Sequence, residues 1–362
     1  MKPLNFATLN ARGLRKIRNN DGSPKSPAIG LDLTNITTDI KKHDIAAIAI
    51  QETHFGETEH LQNTEGYIGY FVNEENNRYH GSGILIKDCY NPTFTKISSR
   101  VCTANFKINT KNDILLICGY APHETLSNKK PEERDTFYAD LQKALSLKKA
   151  NTIPIIALDA NAQTSFSKDE THPKVIGKYT KGTKTNVNGH TLLHFAAEND
   201  MMLTNTLFQH KMSRRTTWTA PYRPLKMKNG ETRRKPIHRQ IDYILLDKKQ
   251  VRFVTNSRSY NSIKTDTDHN MVIMNLLLEL SKMQKPKINK SPQYKIENFR
   301  NKTIKEKYQQ KLEECYDNTE IKNNDDGWQQ IVDTCLETGK DIIGMKEKRT
   351  VKSEDKEIKR LS

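Results

Sequence analysis

No stretch of about 20 apolar residues, the length needed for a membrane-spanning helix, occurs in this chain. Its opening residues, MKPLNFATLN, lack the apolar core of a secretory signal. Cysteine is scarce and scattered: Cys89, Cys102, Cys118, Cys315 and Cys335 stand singly, an odd count with no Cys-x-x-Cys or Cys/His spacing. That spacing excludes a zinc ribbon and offers no disulfide framework. Internal repeats are missing too. Together these absences predict an intracellular protein, nuclear or cytoplasmic, that is not secreted and has no membrane partner.

What the chain has in excess is positive charge. Its 362 residues carry a formal net charge of +16, with a pI near 9.4. Such a balance suits a polyanion: nucleic acid first, an anionic membrane surface second. A protein that is merely lysine-rich gives the same sum, so the distribution matters more. Residues 281–362 hold a net +4, which leaves +12 on the first 280. Within that body, residues 211–239 carry ten Lys/Arg against one acid, Glu231, with Trp218 and Tyr222 among them.

The first 280 residues read as short apolar strands between polar loops, with a few helices. Strands are predicted at Leu4–Leu9, Ile45–Ile50, Gly83–Ile86, Ile114–Tyr120, Ile153–Leu158, Met202–Asn205, Ile241–Leu246 and Met271–Leu278. Continuous apolar runs such as Ile45–Ile50 suit strands buried on both faces. Helices are predicted at Leu31–Lys42, Pro131–Lys148 and Thr191–Asn199. The second opens with Pro131, Glu132 and Glu133, as helix N-termini favour. Strands interleaved with helices, without a simple βαβ rhythm, predict a layered α/β sandwich. Asn19–Pro27 reads as a surface loop, and Ser165–Asn188 as a long polar one.

Beyond residue 280 the character changes. Residues 281–295 read as a basic linker. Ile304, Tyr308, Leu312 and Cys315 recur at helical spacing, as do Trp328, Ile331, Val332 and Cys335, so a helical tail is predicted over 296–345. Residues 346–362 are charged throughout and carry too few apolar groups to order on their own.

Several polar residues close apolar strands: Asn10, Glu52, Tyr120, and Asp159 with Asn161. Asp268 and His269 precede the last strand. Each alone has a plain structural reading, as a turn residue, cap or half-buried aromatic. Their convergence at strand ends is the informative feature, because α/β sheets bind ligands there.

The ordered fragments LNFATLNARGL, IAIQETHF, GSGILIK, ICGYAP, ALDANA, TTWTAP, RQIDYILL and TDTDHNMV resemble the endonuclease/exonuclease/phosphatase superfamily over nearly all of residues 1–280. Within it, the run from NGHTLLHFAAENDMMLTNTLFQHK onward resembles the endonuclease domain of non-LTR (LINE-type) retrotransposons and the craniofacial development protein 2-like group. Residues 290–350 resemble the helical stretch that joins such a nuclease to a reverse transcriptase.

The resemblance implies a four-layered α/β sandwich of two packed mixed sheets flanked by helices. It implies a divalent-metal-dependent endonuclease that hydrolyses phosphodiester bonds in DNA, nicking one strand as in LINE-type retrotransposition, with Mg2+ or alternatively Mn2+. Glu52 would be the direct metal ligand, and Asn10 and Asp268 would complete its neighbourhood. Asp159 would be the base for the attacking water, with Asn161 holding water or phosphate. His269 would stabilise phosphate charge, oriented by Asp242, and Tyr120 would lie near the phosphate or leaving group. A basic hairpin would approach DNA through Arg214, Arg215, Trp218, Tyr222, Arg223, Arg233, Arg234, Lys235 and Arg239, with Arg12 nearer the centre. His54, His190 and His194 receive no role.

Three positions depart from the pattern. Arg12 stands where repair-type members often carry an acid or amide, which weighs against abasic-site repair. Leu158 replaces the usual Gly before the central Asp, and Thr267 replaces a Ser, with Asp266 adding a nearby carboxylate. The alternatives are an abasic-site repair nuclease, a small-molecule or lipid phosphoesterase of the same fold, and a non-catalytic scaffold that binds nucleic acid or protein.

Overall fold

The computed structural model describes residues 3–14, 33–55, 58–74, 80–108, 112–167, 174–220, 225–226, 232–233, 236–261, 267–278, 294–317 and 325–345. The loop Asn19–Pro27, most of the 281–295 linker, the 346–362 end, Tyr222, Arg223, Arg234, Lys235 and Asp266 lie outside these, as does the Arg233 side chain. The chain divides into two compact units, residues 1–283 and 284–362.

The first unit runs β1 (Leu4–Asn10), α1 (Leu33–Lys42), β2 (Ile45–Gln51), β3 (Glu59–Thr64), β4 (Tyr67–Val72), β5 (Ser82–Lys87), β6 (Thr93–Lys96), β7 (Val101–Lys107) and β8 (Asp113–Tyr120). It continues with α2 (Glu124–Lys129), α3 (Pro131–Ser146), β9 (Thr152–Asp159), α4 (Val187–Glu198) and β10 (Met201–Leu203). Four two-residue strands follow: β11 (Trp218–Thr219), β12 (Leu225–Lys226), β13 (Thr232–Arg233) and β14 (His238–Arg239). β15 (Asp242–Asp247), β16 (Val254–Tyr260) and β17 (Met271–Leu276) complete it.

Seven strands form one sheet in the order β16-β17-β1-β2-β5-β4-β3, and six form another in the order β10-β15-β9-β8-β7-β6. Phe6, Ala47, Ile84, Leu116, Ile155 and Ile244 are among the side chains that fill the core shared by their facing surfaces. On the outer face of the first sheet, Ile36 and Ile40 of α1 cover Leu9, Ile48 and Ile50. On the outer face of the second, α3 and α4 bring Phe137, Leu141, Leu192 and Phe195 onto Leu115, Ile156 and Tyr243. The result is the four-layered α/β sandwich expected from the sequence.

In each sheet one adjacent pair of strands is parallel: β1 with β2, and β8 with β9. The other pairings within the two sheets are antiparallel. A parallel pair ends on one side, so Asn10 lies beside Gln51, and Tyr120 beside Asp159. This placement delivers polar strand ends from both sheets to one edge of the sandwich.

Differences from the predicted elements have local causes. α4 begins at Val187, four residues before the apolar periodicity starts, because the Asn186 side chain caps Gly189 N–H at 2.8 Å. Gly189 is needed there, since a Cβ would sit 2.1 Å from Gln163 O. The strand predicted at Met202–Asn205 ends at Leu203, and Thr204–Thr206 turns as a 3-10 helix. β3, β6 and β16, polar edge strands held by backbone pairing rather than an apolar pattern, escaped the sequence reading, as did the buried inner strands β4 and β7.

The second unit contains a 3-10 turn at Ile296–Arg300, α5 (Lys302–Asp317) and α6 (Asp325–Ile342). Tyr294 bridges to Met345, and its hydroxyl donates to Leu336 O at 3.0 Å. Tyr308 of α5 donates to Cys335 O of α6 at 3.3 Å and meets Phe299 edge-on. No helix among the described residues is long and apolar enough to cross a membrane.

Candidate active site

At the C-terminal end of the first parallel pair the chain turns sharply. Arg12 and Glu52 both adopt left-handed backbone conformations, with φ of 51° and 52°. For residues other than glycine this conformation costs on the order of 1–3 kcal/mol, so surrounding bonds must hold it. Here Ala11, Gly13 and Leu14 N–H donate to the carbonyls of Gln51, Glu52 and Thr53. The two loops therefore leave the sheet zipped together.

Buried Asn10 links the two sheets. Its Nδ2 donates to Glu52 Oε1 and to Asp159 Oδ2, each at 2.8 Å. Its Oδ1 accepts from Arg12 N–H at 2.9 Å. Tyr120, at the end of β8, donates its hydroxyl to the same Glu52 Oε1 at 2.9 Å. Burial, followed by the Glu52 and Asp159 charges, pushes the Tyr120 pKa well above its ordinary value. Tyr120 is thus a permanent donor that aims the Glu52 carboxylate.

The second sheet contributes a drier group. Asp159 and Asp242 face each other in register across β9 and β15, an arrangement that is repulsive for two like charges. His269 relieves it: its Nδ1 lies 3.1 Å from each Asp242 oxygen. Burial, the largest single influence, lowers the His269 pKa, but the charge and hydrogen bond of Asp242, with the charges of Asp159 and Asp268, together raise it to about 9. Burial first, then the Asp242 charge, pushes Asp159 up to about 7, against the lowering effects of His269 and the Asn10 bond. Asn161, itself left-handed at φ 46°, gives its N–H to Asp159 Oδ1 at 2.9 Å. Its side-chain amide is tied to Ala121 O at 3.0 Å.

Asp268 sits at the rim. Trp218 Nε1 donates to its Oδ2 at 3.1 Å, and Arg12 Nη1 lies 3.5 Å from that same oxygen. Arg239 lies over the Trp218 ring, 5.7 Å from its centre. These groups line a cleft of about 190 Å³ together with Glu52, Tyr120, Asp159, Asn161 and His269. Of the predicted nucleic-acid contacts, Arg12, Trp218 and Arg239 line it, while Arg214 and Arg215 do not. Arg214 is exposed, and Arg215 is spent on Tyr179 O.

Sequence reasoning missed several supporting residues. Thr217 Oγ1 accepts the N–H groups of Ile241 and Asp242, fixing where the aspartate starts its strand. Thr267, noted in the sequence only as a replacement for Ser, donates to Asn10 O across 257 residues of chain. Arg100 reaches Tyr120 O at 3.3 Å and lies over its ring. His54 Nε2 is 3.8 Å from Glu52 Oε2. The only available signal was adjacency to a named motif, as for His54 in IQETHF and Thr217 in TTWTAP.

The donor set suits a hard divalent ion at Glu52. Its Oε1 is committed to Asn10 and Tyr120, and its Oε2 is not shared with them. One carboxylate opening on a wet cleft is what a water-retaining ion such as magnesium accepts. Asp159, Asp242 and His269 also bring one ligand atom each within 4.8 Å of one another. They are buried, with Asp242 bonded to His269 and Asp159 to Asn10 and Asn161, which suits proton handling better than ion capture.

Two solved structures align with 76% of this chain at a TM-score of 0.50 and 13% identity. One is the AP endonuclease LMAP from Leishmania major, 88% of which is covered. The other is the 3' phosphatase NExo from Neisseria bound to product DNA hairpin, covered in full. The chain has the endonuclease/exonuclease/phosphatase fold. Two curated relatives are both craniofacial development protein 2: that of Bos taurus is 24% identical over 258 residues, and that of Tragulus javanicus 25% over 264. The match takes in 68% and 69% of this chain but 38% and 40% of the relatives, so the chain spans about two fifths of their length. No known family profile matches the sequence. On this fold the ends of the two parallel strand pairs face the same cleft, where Asn10 bonds to both Glu52 and Asp159.

Proposed function

We propose that the chain is a divalent-metal-dependent phosphodiesterase that cuts DNA internally, nicking one strand as a LINE-type endonuclease does. The observation that carries this is the hydrogen-bonded array Tyr120–Glu52–Asn10–Asp159, set beside the His269–Asp242 pair in one cleft. The fold shared with an AP endonuclease and with a 3' phosphatase bound to product DNA hairpin supports a phosphate-ester target in DNA. The cleft is smaller than the roughly 300–1,000 Å³ of pockets that enclose a small-molecule ligand. That size favours a backbone laid across the site over a metabolite swallowed by it.

An ion held at Glu52, with Asn10 next to it, supplies positive charge to the phosphate and leaving oxygen when bound. The chain's own residues do the rest. Asp159, with its pKa raised toward neutrality, accepts the proton of the attacking water. Asn161 N–H holds one Asp159 oxygen in place. His269 is cationic at neutral pH, and Asp242 occupies its Nδ1, which leaves Nε2 to donate to a phosphate oxygen. Arg239 and Trp218 form a cationic and aromatic rim for the nucleic acid.

The test is nicking of supercoiled plasmid in Mg2+ or Mn2+, beside EDTA, Glu52→Ala and His269→Ala. Metal-dependent nicking that both variants lose supports the reading. Absence of nicking in either metal overturns it, and hydrolysis of phosphoinositides in its place would assign the site to a lipid phosphoesterase. Faster cleavage at abasic sites than in intact duplex would make the chain a repair enzyme.

A further inference from the structure

Arg12 is a strong cation at the mouth of the acidic centre, on the same cleft as Arg239 but paired directly with one of its carboxylates. Its backbone is fixed by the N–H bond to Asn10 Oδ1 and by the paired loop ends described above. Its side chain is about half exposed, and its guanidinium reaches Asp268 Oδ2 at 3.5 Å. That oxygen already accepts from Trp218 Nε1, and the Asp268 carbonyl accepts from Thr219 N–H at 2.9 Å. Asp268 is therefore pinned to β11 and turned toward Arg12. A carboxylate neutralised in this way is a poor ligand for a cation, and a guanidinium beside it repels one.

We propose, building on the phosphodiesterase reading, that Arg12 is a fixed cation of this site. It neutralises Asp268, contacts a non-bridging phosphate oxygen of the substrate, and restricts the centre to a single divalent ion at Glu52. Asp268 is then the anchor of Arg12 rather than a metal ligand, which revises the role expected for it from the sequence. The planar fork of arginine suits both tasks: one edge faces a carboxylate while the other nitrogen meets a phosphate oxygen. The half-exposed position leaves that second edge open to the cleft.

The test counts ions and charges, not turnover. Mn2+ binding is followed by electron paramagnetic resonance on the whole chain, wild type and variants. One ion per chain is expected, lost in Glu52→Ala and kept within about threefold in Asp268→Ala, as expected of a residue outside the ion's ligands. Arg12→Asn preserves the left-handed backbone, which asparagine tolerates. It should admit a second, weaker ion that disappears in the Arg12→Asn/Asp268→Ala double variant. In EDTA, the salt dependence of duplex DNA binding should flatten in Arg12→Asn by about 0.9 in slope, the loss of one phosphate contact. Arg12→Lys keeps the charge and should hold the slope. Two ions in the wild type, loss of the ion in Asp268→Ala, or an unchanged slope in Arg12→Asn overturns the proposal while leaving the phosphodiesterase reading intact. Retention of the ion in Glu52→Ala, or no ion in the wild type, overturns the metal reading and the proposal together.

Discussion

The two sides of the cleft are built from the same device, the end of a parallel strand pair, yet their environments differ. On the first sheet, Glu52 is about one-fifth exposed and is steered by neutral donors, Asn10 and Tyr120. On the second, Asp159 and Asp242 are each 1% exposed and face one another with His269 alongside. The wet side leaves a carboxylate oxygen open to the cleft, the condition for holding a hydrated ion. The dry side raises one pKa and makes a histidine cationic, the condition for moving protons. Asn10 is the only side chain bonded to carboxylates of both sides among the described residues, so it couples them.

The comparison breaks most sharply at the dry side. Asp159→Asn or His269→Ala should lower kcat by about 10²–10⁴-fold, as for loss of a general acid or base. Each should leave Mn2+ binding unchanged, in contrast to Glu52→Ala. Stability should follow the same division. Asp242→Ala strands a buried histidine and should cost about 3–5 kcal/mol in urea unfolding. Glu52→Gln keeps an acceptor for Asn10 and Tyr120 and should cost about 1 kcal/mol or less. Equal costs at the two positions would erase the distinction.

A third test reads the charge of His269 in the metal-free protein. Its folded pKa, about 9, lies above the ordinary 6.5. The stabilisation this brings is complete below pH 6.5 and is lost as pH rises through 9. Asp242→Asn removes the carboxylate that raises the value, so the alkaline loss should vanish and the ring should titrate lower by NMR. The smallest effect is expected at the rim. Trp218→Phe keeps the ring beneath Arg239 but removes the donor to Asp268, which should weaken DNA binding about fivefold, in line with one hydrogen bond of about 1 kcal/mol.

Much of this was legible in the sequence because burial writes itself into composition. β2 is buried along its whole length and reads as an unbroken apolar run. Pro131, Glu132 and Glu133 announced α3. The polar residues that close those runs stood out for the same reason. The basic stretch 211–239 was less readable: Arg239 and Trp218 reach the cleft, whereas Arg215 is bonded to Tyr179 O. Charge composition gives the number of cations but not their direction. Thr217 was invisible, and Thr267 stood out only as a replacement for Ser, since a hydroxyl that orients a neighbour's backbone has no pattern of its own.

By itself, then, the amino-acid order determined most of the buried strands, the start of α3 and the set of side chains with the chemistry to handle a phosphate. It did not determine their meeting. Asn10 and Asp159 are 149 residues apart, and Thr267 lies 257 residues from the Asn10 carbonyl it bonds. Only the packing of two sheets, each with its parallel pair ending at one edge, brings those groups within 3 Å. Local preferences act over a few residues. The pKa shifts, the aim of Glu52 and the pairing of Arg12 with Asp268 depend on distances that exist only once the layers have closed.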